Sequence, residues 1–321
     1  MTLQHTSRFR RLALPLTLAA LLGACSNLSS HSAAAPSDAG RMAATADKAA
    51  DRAESLTIEA FTPGPDALFS VASVMVKGQQ EVMLIDAQFS AADAQKLVDS
   101  IKASGKRLST IFISHGDPDF YFGLATLKDA FPDARVLATA QTVEHIQKTK
   151  DGKLAYWGPQ MGNNAPAYLV VPEVLQGDTL TLEGQSLKVV GLDGPAPERT
   201  VLWIPSIKTI VGGVPVVGQE HVWMADTQTP QSHADWLSML GRIEALNPTV
   251  VIPGHFADGA PLDLRSVRFT ADYIRAFDEE SAKARNSAEL IEAMKQRYPG
   301  LPGEESLALS AKVDKGEMQW P

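Results

Sequence analysis

The order of apolar runs between residues 67 and 139 constrains this chain more than any other feature. "ALFSVASVMVKGQQEVMLID", residues 67–86, carries two strand-like runs around Lys77 and Gly78 and reads as a hairpin. In "SAADAQKLVDSIKASG" the apolar period changes: Ala94, Leu97, Val98 and Ile101 mark one helical face. Ser90 with Asp93 supplies the helix start and Gly105 the stop. "LSTIFIS" then reads as a buried strand, "GLATLKDAFP" as a helix ended by Pro132, "ARVLAT" as a strand and "AQTVEHIQKT" as a helix. Further on, "SLKVVGL", "TVLWIP" and "KTIVGGV" read as three strands, "SHADWLSMLGRIEALNP" as a helix and "TVVIPGH" as a last core strand. Strands followed by mixed strand and helix units, twice over, predict a layered α/β domain. Between the halves, "DGKLAYWGPQMGNNAPAY" lacks periodicity and is expected to be a long loop, a lid or a surface excursion.

The ends fall outside this pattern. Arg8, Arg10 and Arg11 precede "LALPLTLAALLGA", a basic segment followed by an apolar stretch too short to span a bilayer well. "LLGAC" resembles a bacterial lipobox and places Cys25, the single cysteine of the chain, as a lipidated first residue. An ordinary secretory signal is the alternative, which would leave the protein secreted. Residues 1–24 are thus a signal peptide, 25–55 a flexible tether rich in Ala, Ser and Asp, 56–265 the folded domain and 266–321 a polar helical extension packed on its outside. With one cysteine there is no internal disulfide. Cleavage before Cys25 removes three arginines, leaving 26 basic residues against 37 acidic ones, a net −11. That excludes nucleic acid as a natural partner and leaves the lipid to hold the protein to the membrane, facing the periplasm.

"ISHGDPDFYFG", residues 113–123, carries the chemistry. In an extended chain His115, Asp117 and Asp119 share a face, and Pro118 biases Asp117 toward extended backbone. One imidazole and two carboxylates beyond a strand's C-terminal end suit zinc first, with iron or manganese as alternatives. The same residues also read as ordinary helix N-caps and a strand-end histidine.

The stretch "VMLIDAQFSAADAQKLVDSIKASGKRLSTIFISHGDPDFYFGLATL" resembles the metallo-β-lactamase superfamily, whose members read roughly "vLIDtG", a helix, a strand, "THxHxDHxGG" and another helix, as does "PGH" at residues 253–255. The resemblance covers residues 60–262 and implies a four-layer αββα sandwich. It matches His115 to the family's first metal histidine, Asp119 to its aspartate and His255 to its last histidine. Asp117 stands at the second histidine, while Phe120, Pro195 and Val214 stand where three further ligands belong. The two-metal site is therefore not expected. His115, Asp117, Asp119 and His255 are left as the set for one divalent ion, with Asp86 supporting the metal loop from behind.

Two readings follow. In the first, a metal-dependent hydrolase of the cell envelope uses one ion to activate water against an ester, lactone, amide or thioester. Asp117 or Asp119 doubles as general base and His221 shuttles a proton, or is a packed loop histidine. Phe120, Tyr121, Tyr156 and Trp157 line an apolar substrate pocket. In the second, a metal-free lipoprotein has kept the fold and captures an apolar ligand.

Overall fold

The computed structural model describes residues 10–11, 55–64 and 67–320. Cys25, the rest of the leader and the tether lie outside the described residues.

The first sheet has seven strands in sequence order. They are β1 (Arg10–Arg11), β2 (Thr57–Phe61), β3 (Ser73–Lys77), β4 (Glu81–Ile85), β5 (Arg107–Ile113), β6 (Arg135–Ala138) and β7 (Glu173–Val174). Pairing is antiparallel as far as β4 and parallel from β4 to β7. The change occurs where the chain begins to cross over through helices, because a parallel neighbour needs a crossover and a hairpin cannot supply one. The first crossover helix, Ala91–Ala103, starts where the capping signal put it: Ser90 Oγ accepts the N–H of Asp93 at 3.0 Å.

The second sheet takes β8 (Thr179–Leu182), β9 (Gln185–Val190), β10 (Val201–Ile204), β11 (Thr209–Val211) and β13 (Val250–Val251), in the order β13-β11-β10-β9-β8. A short parallel pair, β12 (Val217–Gly218) with β14 (His255–Phe256), closes one end.

Side chains of a strand alternate between its faces, so a strand buried on both faces feeds two cores. Val74, Val76, Met83, Ile85 and Phe112 meet Leu187, Val189, Leu202, Ile204 and Val211 between the sheets. Their neighbours Met75, Val82, Leu84, Ile111 and Ile113 pack outward with Leu97, Val98 and Ile101 of the first helix. On the far side, Val201, Ile210 and Val251 meet helices Pro230–Ala245 and Leu264–Lys283. Three apolar interfaces separate four layers, the αββα sandwich that the family resemblance implies.

Two expectations change. Of the segment read as a long loop, residues 151–161 are the second half of one helix, Ala140–Met161, which runs through Pro159, and only residues 162–168 leave it. Leu154, Trp157 and Met161 pack on the first core, and their spacing of three and four continues the stripe begun by Val143 and Ile146. Nor is the C-terminal extension an outer appendage. Helix Leu264–Lys283 crosses the expected boundary at 265, and Tyr273, Phe277, Leu290, Met294 and Leu307 complete the second outer core.

Candidate functional site

The strand ends that carry the motif are fixed from beneath by Asp86. Its backbone sits in the left-handed region, at φ 62°, and its side chain is fully buried. Ser114 donates to it twice, from N–H at 2.8 Å and from Oγ at 2.6 Å, and Ser114 Oγ in turn accepts the N–H of Gly213 at 2.7 Å. Asp86 therefore holds the residue before His115 and, through it, the end of β11 in the other sheet. Burial pushes its carboxyl up to about 7, against the two bonds from Ser114.

Beyond Ser114 the chain leaves β5, and Asp117 precedes a single helical turn, Pro118–Tyr121. Pro118 takes the first helical position, where no N–H is needed. The Asp117 carboxylate caps no amide of that turn. It faces His115 Nδ1 at 3.4 Å, Lys153 Nζ at 3.2 Å and His145 Nε2 at 3.9 Å. Burial opposes its charge, but His115 and Lys153 outweigh it and hold the carboxyl well below the usual range.

Asp119, buried, meets a different histidine: its Oδ2 lies 3.2 Å from Nε2 of His255. His255 arrives on β14, with its backbone between Val217 and Val71. Burial works against the imidazolium, yet Asp119, Glu220 and Asp117 carry the balance to the other side and raise the pKa. Glu220, which Ser70 Oγ contacts at 2.9 Å, is itself shifted upward by burial.

The four expected ligands thus form two imidazole–carboxylate pairs, His115 with Asp117 and Asp119 with His255. Phe120 lies between them, its ring centroid 5.3 Å from that of His115 and 5.6 Å from that of His255. Among the described residues no group of three or more His, Cys, Asp or Glu is placed to hold an ion. A catalytic zinc needs three protein ligands and an open position. Two donors on each side of a phenyl ring do not meet that need, so the expected single-ion set does not fit a metal as arranged. Val214 borders the cavity where a bridging carboxylate would stand, and Pro195 is exposed.

Both pairs open into one cavity of about 1120 Å³. Tyr156 and Trp157 line it as expected, and Trp157 packs edge-on against Phe69 at 5.3 Å. Phe120 and Tyr121 do not. Each is 1% exposed and belongs to the first core, because the helical turn after Pro118 rotates them inward. His221 also borders the cavity, but it is a packed histidine: its Nδ1 lies 2.9 Å from Tyr273 Oη and its N–H donates to Pro302. The C-terminal segment supplies part of the wall through Pro302, Met318 and Trp320.

Sequence reasoning missed Lys153, His145, Glu220 and Arg199. His145 lies in the part read as a helix and Lys153 in the part read as a loop; a helical reading of residues 140–161 puts Lys153 about two turns beyond His145, and both reach Asp117. Glu220 and Arg199 carry no local signal.

The comparisons agree with the architecture. The family model "Metallo-beta-lactamase superfamily" matches residues 66–255, more than half of the chain. A β-lactamase domain protein from Burkholderia ambifaria is similar in structure with a TM-score of 0.56 at 17% identity, over 80% of this chain and 84% of that one. A metallo-β-lactamase from Pontibacter korlensis gives 0.53 at 17% identity, over 69% of this chain and 95% of that one. At such identities the likeness is one of fold. No curated protein sequence matches the chain at a significant level. Strand order, layer order and the family match lead to one assignment: the chain belongs to the metallo-β-lactamase superfamily.

Proposed function

We propose that this chain is a hydrolase-type enzyme of the cell envelope that opens an ester, lactone, amide or thioester in an apolar small molecule. The observation that carries this reading is the Asp119–His255 contact of 3.2 Å at the wall of a large, partly aromatic cavity. A buried carboxylate that holds an imidazole fixes its orientation and stabilises its protonated form. His255 then takes a proton from attacking water and returns it to the leaving group. Asp119 positions that imidazole. The His115–Asp117 pair is engaged by Lys153 and serves to set the charge beside the substrate. Superfamily members are usually metallo-hydrolases, and no step here runs through an ion, because the donors are split between two pairs.

The test is a screen of aryl esters, lactones and thioesters with acyl chains of increasing length. Turnover is expected to rise with chain length and to fall about 100-fold or more in His255→Ala, the scale of a lost acid–base group. Turnover that ignores His255→Ala would refute the assignment.

A second reading, capture of an apolar ligand without chemistry, is favoured by the aromatic wall of Phe69, Trp157, Trp223 and Trp320. Tight binding of a long-chain ester with no turnover would select it.

The envelope location rests on the lipobox at Cys25. Among the described residues no helix is long and apolar enough to cross a membrane. Cys25→Ser is expected to move the protein from the membrane to the soluble envelope fraction.

A further inference from the structure

Arg199 stands just before β10 in the turn after Gly194, and its side chain is 7% exposed. Its guanidinium carbon lies 4.1 Å from the ring centroid of Trp236. That indole is itself fixed, 1% exposed and donating Nε1–H to the carbonyl of Pro215 at 2.8 Å. A guanidinium stacked on an immobile ring keeps one orientation. Both residues line the cavity, yet Nη1 of Arg199 is buried without a hydrogen-bond partner among the described residues. Asp226, the carboxylate with most influence on Arg199, is already occupied. Its two oxygens accept the indole N–H groups of Trp223 and Trp320, each at 2.7 Å.

A buried cationic donor without an acceptor is rare in proteins, because a buried charge is normally paired. We propose that Arg199 is the anchor for a carboxylate carried by the apolar molecule that enters this cavity. A carboxylate matches the planar fork of a guanidinium. The cavity is also lined by Asp117, Asp119, Glu220 and Asp226, so it admits a singly charged head group more readily than a dianionic one. The substrate class is then an amphiphile, an apolar body with one carboxylate, and Arg199 determines specificity without touching the bond that breaks. This deepens the proposed function, since it names the ligand of the same cavity.

The experiment reads binding, so it stands apart from turnover. Decanoate and decanol are titrated into the mature protein, followed by the fluorescence of Trp157, Trp223, Trp236 and Trp320, which line the cavity. Wild type is expected to bind decanoate roughly tenfold or more tightly than decanol, the range of one charge-assisted hydrogen bond. Arg199→Met, which keeps an apolar chain against Trp236, is expected to bind the two about equally, with decanol unchanged from wild type. Arg199→Lys retains part of the preference, and melting curves of both variants establish that they fold. Binding is read without turnover, so loss of hydrolysis and loss of anion anchoring are separate results. Equal binding of decanoate and decanol by wild type, or an unchanged preference in Arg199→Met, would overturn the proposal.

Discussion

At Phe120 a ring with no lone pair to offer lies within 6 Å of two imidazoles, at centroid distances of 5.3 and 5.6 Å. Asp119 and His255 on one side of it still meet at 3.2 Å, so a third donor at this position would complete a three-ligand site. Phe120→His is expected to bind one zinc ion through Asp119, His255 and the new imidazole, measured by competition with a colorimetric chelator, at a cost of about 1–3 kcal/mol for a polar group in the core. A variant that folds and binds no zinc would show that Phe120 is not what keeps the donors apart. Asp86 makes a second, pH-dependent prediction. Its folded pKa of about 7 lies above the ordinary aspartate value of 3.8. The sign follows: between about pH 4 and 7 the unfolded chain gives up a proton that the folded chain keeps, and stability contributed by Asp86 is lost as pH rises through that window. Asp86→Asn retains a residue type that tolerates positive φ. Urea unfolding should show it losing less stability than wild type between pH 4.5 and 7, by a few kcal/mol at most; parallel losses would contradict the shift. His115, Asp117 and Asp119 were legible in the sequence because they fall within five positions, and His255 because it stands in a "PGH" that resembles the family's. That Asp119 pairs with His255 was not, since His255 reaches it from a distant strand only in the packed fold.

Among the elements, those with strong periodicity and good caps were legible. Helix Ala91–Ala103 has the expected cap and the expected buried face. Helix Ala140–Met161 was cut short because Gly152, Gly158 and Pro159 read as breakers, although its apolar spacing continues through Trp157 and Met161. Tertiary packing on the first core outweighs those local preferences. The strand end at His255 depends on a close approach that sequence could not show. A Cβ on Gly254 would lie 2.0 Å from the carbonyl oxygen of Gly213, which is backbone and cannot yield cheaply. Gly254→Ala is therefore expected to destabilise the fold by about 1–3 kcal/mol, the range of overpacking, and to lower turnover by shifting His255. Thermal melts and kcat/KM together check it; a variant with unchanged values of both would mean that the loop relaxes freely.

On the scale of the whole molecule, alternation along β3, β4 and β5 feeds two cores at once; the order of strands and helices made the layered α/β class readable, and the family resemblance implied the four-layer sandwich. The role of the C-terminal region was not readable. Its polar helices give no sign that Tyr273 and Leu307 join a core or that Trp320 reaches the cavity. The fold brings a superfamily frame, two separate acid–imidazole pairs and a partly aromatic cavity into one place, and the account stands or falls on that separation. The most direct measurement is the metal content of the mature protein after zinc, iron and manganese have each been offered and the excess removed. The account predicts far less than one tightly held ion per chain for all three. One ion per chain, lost in both His115→Ala and His255→Ala, would contradict it and return all four residues to a common metal site.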